Sequence, residues 1–240
     1  MTYPEMFQGR PGIRLVDGRF YPHSFTLDDL ETFGRFVGEH ERCMFYSDVA
    51  HEGIVDTNAI AIRHDVDHSA THARRFARWE AENGINASYY FLPTAPYFSH
   101  DWTPRLMVEI QELGHEVGIH NNALTYLAKF TADNNLPASE VRLDDEAIKL
   151  LNDWKMMFES YGIHVTGCAD HGGGEPRNVD LWDVYGRTPE EAGLAYECYE
   201  LHGRGANYIS DNRGQWRAPL TKIEGKQTHV LIHPEHWRMP

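Results

Sequence analysis

Short apolar runs alternate with longer amphipathic stretches along most of the chain. Short apolar runs between turn residues predict buried strands, and stretches with apolar positions on one face predict helices. The predicted strands are 59–63, 87–92, 116–120, 165–169, 207–210 and 228–233, and the predicted helices are 26–40, 69–83, 103–113, 138–161 and 189–200. This alternation indicates a parallel α/β fold, either a (β/α) barrel or a doubly wound sheet.

The chain shows no internal repeat and no linker-like segment, so residues 1–240 are predicted to form a single domain. Residues 1–25 are rich in Gly, Pro and aromatic residues and are expected to form an ordered arm or loop. Mean hydropathy is −0.55, and the absence of a long apolar run excludes a membrane-spanning helix. The first ten residues lack the basic and then apolar pattern of a signal peptide, so a cytoplasmic location is expected.

Net charge and cysteine content exclude further classes of protein. The chain has 22 Lys and Arg against 36 Asp and Glu, a net charge of −14, and no basic stripe, which argues against nucleic-acid binding. Its 3 cysteines share no CxxC spacing, which argues against a disulfide framework and for a reducing compartment. The unusual feature is the presence of 15 histidines in an acidic chain, which points to metal binding or acid–base chemistry.

Polar residues follow five of the predicted strands at the point where each strand ends. They are His64, Asp65, Asp67 and His68, then His120 and Asn121, then Asp170 and His171, then Asp211, and finally His233. The carboxyl ends of parallel strands meet at one edge of a sheet or barrel, and active sites are built there. The sequence therefore predicts one cluster of metal ligands and proton carriers at this edge.

Asp65 and Asp67 are separated by one residue, so on a strand their side chains point the same way. Two buried carboxylates repel each other unless a positive charge lies between them, and a divalent metal ion supplies that charge. One carboxylate can then bind the metal while the other acts on its water. The alternative is structural, with Asp67 or Ser69 capping the helix that follows.

Each histidine of the cluster also has an ordinary interpretation. His120 is either a metal ligand or a core residue hydrogen-bonded to a carbonyl. His171 precedes three glycines and lies on a loop that can bend sharply. His233 follows an apolar strand and is a candidate proton donor, whereas His229 and His236 are expected to be solvated.

Five motifs occur in a fixed order: Arg63-His64-Asp65-Val66-Asp67, the strand at 87–91, the segment 114–120, the segment 208–217, and Leu231 to Trp237. In these motifs the chain resembles the NodB-type polysaccharide deacetylases, which belong to carbohydrate esterase family four in the broad sense. The closest resemblance is to the divergent WbmS-like branch, which occurs with genes of surface-polysaccharide biosynthesis. The resemblance covers 59–237, most of the chain.

The resemblance implies a distorted (β/α) barrel and a divalent metal ion, usually zinc, that activates water for attack on the acyl group of a sugar. By the same resemblance, Asp65 is the general base, Asp67 and His120 are metal ligands, and His233 is the general acid. The expected partner is a carbohydrate or sugar-nucleotide substrate. The oligomeric state is not predicted.

The chain departs from the family pattern at one position. The family's second motif carries a second histidine one helical turn after the first, and here that position is Leu124. The third ligand must come from elsewhere, or the metal is bound weakly or not at all. His171 is the first choice, and His68 is the second because it is expected to point away from Asp67.

The leading hypothesis is a metal-dependent hydrolase of non-peptide carbon–nitrogen bonds, most simply a sugar N-deacetylase. Asp211 is a candidate for orienting His233 or Arg217, and Arg217, Trp216 and Asn121 are candidates for substrate binding. The alternative is a catalytically degenerate domain of the same type that binds a sugar or nucleotide-sugar. A cysteine hydrolase that uses Cys168 with His171 is disfavoured, because Cys168 lies within an apolar strand.

Overall fold

The computed structural model describes residues 13–16, 19–22, 25–53, 58–135, 142–202 and 205–240. The strands are Ile13–Val16 (β1), Arg19–Pro22 (β2), Arg42–Met44 (β3), Ala59–Val66 (β4), Ser88–Phe91 (β5), Glu116–Asn121 (β6), Gly167–Asp170 (β7), Tyr196–Glu197 (β8), Asn207–Ser210 (β9) and Thr228–Ile232 (β10). The helices are Leu27–Gly38 (α1), Tyr46–Glu52 (α2), Ala70–Glu82 (α3), Thr103–Glu112 (α4), Ala123–Asp133 (α5), Leu143–Ser160 (α6), Asp180–Asp183 (α7) and Cys198–His202 (α8). No α-helix in these ranges is long and apolar enough to cross a membrane.

Strands β3 to β10 form one sheet in which every pairing is parallel. The order along the sheet is β8-β7-β6-β5-β4-β10-β9, with β3 pairing with the start of β4. Neighbours in the sheet are therefore neighbours in the chain, apart from the pairing of β10 with β4 that brings the last strand back to the fourth. Within the described residues the two end strands of this order, β8 and β9, do not pair with each other. This is the distorted (β/α) barrel that the sequence predicts.

Helices cover the outside of the sheet and close the main core against it. Helix α1 begins with a capping box in which the Asp29 backbone N–H donates to the Thr26 hydroxyl and Asp29 accepts from the Thr26 backbone. Its buried face contributes Phe33 to an aromatic cluster around Trp237, which is fully buried. This cluster packs behind β4 and β10 and holds in place the turn that follows β10.

The segment predicted as a helix over 189–200 is not one helix, and that prediction is wrong. It forms a short 3-10 turn at Pro189–Ala192, the strand β8, and then α8. Gly193 ends the turn in the left-handed conformation at φ 72°, which only glycine adopts readily, so the chain leaves the turn in a new direction. Buried positions then pair with β7. Tertiary pairing overrides the helical pattern here.

Other boundaries differ in smaller ways. Helix α5 and the short α2 and β3 are present where no element is predicted. The predicted N-terminal arm contains the antiparallel pair β1–β2, and the rest of 1–24 lies outside the described residues. The predicted start of the long helix, 138–141, also lies outside them, and α6 begins at Leu143.

Candidate active site

Three side chains meet where β4, β6 and β7 end: Asp67, His120 and His171. One donor atom from each lies within 4.8 Å of the others. The Nε2 atom of His120 is 3.1 Å from Oδ1 of Asp67, and Nε2 of His171 is 3.8 Å from the same oxygen. Leu124 is fully buried in the core at the start of α5. The structure therefore brings together the three side chains predicted as metal ligands, and their role as ligands stays a prediction.

The orientation of His120 is set by the neighbouring strand. Its Nδ1 atom lies 2.8 Å from the Ala169 carbonyl oxygen, so Nδ1 carries the proton and donates it there. In the neutral ring, Nε2 is then left with a lone pair that faces the carboxylate oxygens of Asp67 and Asp65. Burial opposes a charge on the ring, but Asp65 and Asp67 outweigh it and raise the pKa of His120. Facing lone pairs require a proton or a metal ion between them.

Asp67 has an oxygen that fits such an ion. Its Oδ1 atom is buried and makes no hydrogen bond of acceptable geometry with the described residues. Burial alone would raise the pKa of Asp67, but contact with His120 and the charges of His171 and His233 lower it well below its usual range. One carboxylate and two imidazoles with a fourth position open are the donor set of a catalytic zinc site. These residues therefore fit a divalent metal ion.

Asp65 lies beside this cluster and is held by a buried arginine. Nε of Arg63 is 3.0 Å from Oδ1 of Asp65, and Nη2 of Arg63 donates to Oδ2 at 3.1 Å. The guanidinium of Arg63 lies over the Tyr199 ring, 4.8 Å from its centroid. Oδ2 of Asp65 remains 3.7 Å from Nε2 of His120. An ion pair that includes one hydrogen bond thus holds Asp65 beside His120.

His233 lies near the second carboxylate oxygen of Asp67 and is paired with Asp211. The Nδ1–H of His233 donates to Oδ1 of Asp211 at 2.6 Å, and its backbone N–H donates to Oδ2 at 2.9 Å. Nε2 of His233 is 4.0 Å from Oδ2 of Asp67. Burial lowers the pKa of His233, but Asp211 and then Asp67 outweigh it and raise the pKa to about 10. The ring therefore carries a proton at Nε2 near neutral pH, as a general acid requires.

Glu235 is a site residue that the sequence analysis missed. It is the third residue after β10, is 1% exposed, and has no hydrogen-bond partner for either carboxylate oxygen among the described residues. Burial and the charge of Asp67 raise the pKa of Glu235 to about 8, although His233 lowers it. Glu235, Asp67 and His68 each place one donor atom within 4.8 Å of the others. The expectation that His68 points away from Asp67 is therefore wrong.

The three predicted substrate-binding residues differ in burial and in the contacts they make. Asn121 is fully buried, donates to Asp170 at 2.6 Å and accepts from the backbone of Ala123 at 3.0 Å, so its amide supports the start of α5 rather than facing a ligand. Trp216 packs on the ring of Phe25, 5.3 Å between centroids, within the aromatic cluster. Arg217 is exposed. Substrate binding by Trp216 and Arg217 stays a prediction, and the geometry does not support it for Asn121.

Other expectations are corrected by burial. His229 and His236 are buried rather than solvated, because β10 lies between β4 and β9 and the turn after it packs on α3. Ser69 is the N-cap of α3 but makes no capping hydrogen bond through its side chain, so capping does not explain the aspartates. Cys168 is fully buried, and burial raises the pKa of its thiol well above its usual range, which removes support for a cysteine nucleophile.

Among the known proteins compared with this chain, only solved structures are similar to it. No family model and no curated protein matches the chain. A family 4 carbohydrate esterase from Streptomyces lividans in complex with acetate is similar at 14% identity, with 73% of this chain and 78% of that chain covered and a TM-score of 0.44. The peptidoglycan deacetylase PdaC from Bacillus subtilis is similar at 18% identity, with 75% and 77% covered and a TM-score of 0.40.

A pseudoenzyme of the same carbohydrate esterase family, from Bacillus anthracis, is similar at 14% identity, with 73% of this chain and 54% of that chain covered and a TM-score of 0.40. The structural neighbours thus include both active and inactive members of one family of carbohydrate esterases and deacetylases. Likenesses at this distance do not carry a function. The function proposed below rests on the side chains of this chain.

Proposed function

We propose that the protein is a metal-dependent hydrolase of non-peptide carbon–nitrogen bonds that removes an acetyl group from an N-acetylated sugar in surface-polysaccharide metabolism. One observation carries the proposal: three candidate ligands converge between a carboxylate fixed by an arginine and a histidine fixed by an aspartate. The carboxylate held by the arginine is Asp65, and the histidine held by the aspartate is His233. An acid and a base beside one metal position are what hydrolysis of an amide requires.

Asp67, His120 and His171 would hold the metal ion. When bound, a divalent ion lowers the pKa of water and polarises an acyl oxygen. Asp65, held by Arg63, accepts the proton of the attacking water. In this reaction the amide carbon–nitrogen bond breaks and acetate and an amine are the products.

His233 supplies the proton that the leaving amine needs. Its Nε2 atom lies 4.0 Å from Oδ2 of Asp67, and Asp211 keeps the ring in the orientation that presents this atom. Trp237 also donates to Asp211, at 2.9 Å, so the aspartate is fixed from two directions. Asp65 and His233 are each held by a buried partner of opposite charge. Asp65 therefore accepts the proton of the water, and His233 donates the proton to the amine.

The alternative, a degenerate sugar-binding domain, is supported by Leu124, which occupies the position where the family pattern has a ligand histidine. His171 answers this difficulty, because its Nε2 atom lies within reach of Asp67 from the end of a different strand. A binding protein would have no need for a base–acid pair around that position. The geometry therefore supports the enzymatic proposal over the alternative.

The test is release of acetate from N-acetylated oligosaccharides of glucosamine by protein loaded with zinc or cobalt. We expect release by the wild-type protein, none after chelation, and a loss of about a hundredfold or more in Asp65→Asn and in His233→Ala, since each removes one proton carrier. Asp133→Asn, an exposed change on α5, is the matched control.

Two results would overturn the proposal. One is an Asp65→Asn variant that releases acetate as fast as the wild type. The other is a metal-loaded wild type that binds these oligosaccharides, as measured by calorimetry, and releases no acetate, which is the result that the degenerate domain requires.

A further inference from the structure

Glu235 is a buried acid without a counter-charge of its own. Its side chain is 1% exposed, and neither oxygen has a hydrogen-bond partner in the part of the chain that the structure describes. A buried carboxylate in this state is strongly disfavoured unless it binds a cation or holds a proton. The surroundings of Glu235 decide between these two outcomes.

The fixed charges around Glu235 leave a deficit of positive charge. Asp65 is balanced by Arg63, and Asp211 is balanced by His233. Asp67 and Glu235 are then two carboxylates with no permanent cation assigned to either. The imidazole of His68 lies beside them, with donor atoms of all three residues within 4.8 Å of one another.

We propose that Asp67, His68 and Glu235 form a second divalent-cation site that shares Asp67 with the first. The inference rests on the proposed function, because it takes the Asp67, His120 and His171 cluster as the first site. The two oxygens of Asp67 face different partners: Oδ1 lies toward His120 and Oδ2 toward His233. Asp67 belongs to both groups of donor atoms, and a carboxylate, which has two oxygens, can bridge two ions, as in hydrolases with paired metals.

The two sites differ in chemistry. The first offers two imidazoles and one carboxylate, a set that suits zinc, whereas the second offers two carboxylates and one imidazole, a set that suits manganese or magnesium better. The first ion offsets the charges of Asp67 and Glu235 together. The second ion adds net positive charge beside the protonated His233, so it binds more weakly than the first.

Mn²⁺ is the probe for the test, because its electron paramagnetic resonance distinguishes a single ion from a coupled pair. Metal-free protein is dialysed against increasing MnCl₂, and bound manganese is measured by elemental analysis. We expect the wild type to bind one ion per chain and then a second more weakly, and the six-line signal of the first to broaden as the pair forms.

The variants assign the second ion to its ligands. Glu235→Gln keeps the shape of the side chain and removes its charge, so it should bind one ion and keep the six-line signal at all manganese concentrations. His68→Asn should behave in the same way, which keeps the test decisive if one variant folds poorly. Glu112→Gln, an exposed change at the end of α4, is the control and should bind two.

A wild type that binds one ion at saturating manganese would overturn the inference and would indicate that Glu235 holds a proton instead. Two ions in Glu235→Gln would also overturn it. Acetate release separates this inference from the proposed function. One ion with acetate release refutes only the second site, and two ions without acetate release refute only the deacetylase. No bound manganese refutes the second site, while the deacetylase is decided by acetate release with zinc or cobalt.

Discussion

Replacing Asp211 with asparagine tests the charge that keeps His233 protonated. Asp211 is fully buried and accepts three hydrogen bonds, two from His233 and one from Trp237. Burial disfavours the imidazolium, yet Asp211 and Asp67 together raise the pKa of His233 to about 10. An amide at position 211 keeps the shape and loses the charge, so this pKa should fall to about 6.5, the ordinary value for histidine, or below.

The size of the effect follows from that difference. A fall from about 10 to about 6.5 corresponds to roughly 5 kcal/mol between the two protonation states, an upper value because the ring is 17% exposed. At pH 7 the protonated fraction of His233 would fall from nearly all to about a quarter. Because the pKa of His233 is raised by folding, the protonated ring contributes its full stabilisation below about pH 6.5, and this contribution is lost as the pH rises through 10. The free energy of unfolding should therefore differ most between wild type and variant near pH 6.

The assay has two arms, both with chelator present so that no cation binds at Asp67. Nuclear magnetic resonance follows the Cε1–H of His233 against pH, and urea unfolding is measured at pH 6, 8 and 10. Asp133→Asn is the control for loss of an exposed charge and should follow the wild type. The reasoning is refuted if His233 titrates at the same pH in Asp211→Asn as in the wild type, or if the difference in unfolding free energy is the same at pH 6 and pH 10.

Four further substitutions test the candidate site. His120→Ala should lose most of the bound divalent metal, as measured by elemental analysis, and a wild-type metal content would remove His120 from the site. Asp65→Asn should keep the metal and lose about a hundredfold or more of the acetate release, whereas Asp67→Asn should weaken both; the opposite pattern would exchange their roles. Leu124→Ala should lower the free energy of unfolding by about 2–5 kcal/mol through a cavity in the core, with metal content unchanged, and an unaltered urea midpoint would contradict the packing described here.

The edge of the sheet at which the site lies could be predicted from the chain alone. Parallel strands gather their carboxyl ends, so polar residues such as Asp67, His120 and His233 could be placed together without knowing the order of the strands. The six predicted strands are all present, with boundaries shifted by no more than three residues. The metal and its ligands stay predictions, because the structure places the side chains and does not test what they bind.

What could not be predicted depends on contacts between distant segments. Glu235 carries no periodic signal, and its burial arises because the turn at Pro234–His236 packs on α3. The sequence predicts a solvated His229, but β10 lies between β4 and β9 and the side chain is fully buried. Segment 189–200 follows a helical pattern that pairing of β8 with β7 overrides. In each case the deciding partner lies far away in the sequence.

The hydrogen bond from His120 to the carbonyl oxygen of Ala169 has a consequence for mutational studies of this site. The acceptor belongs to the main chain, so every residue type at position 169 carries it, and the side chain of Ala169 has no part in it. An alanine scan of the residues around His120 would leave the acceptor untouched and would report position 169 as silent. Only a change that moves β7 relative to β6, such as a one-residue deletion in either strand, would release the ring.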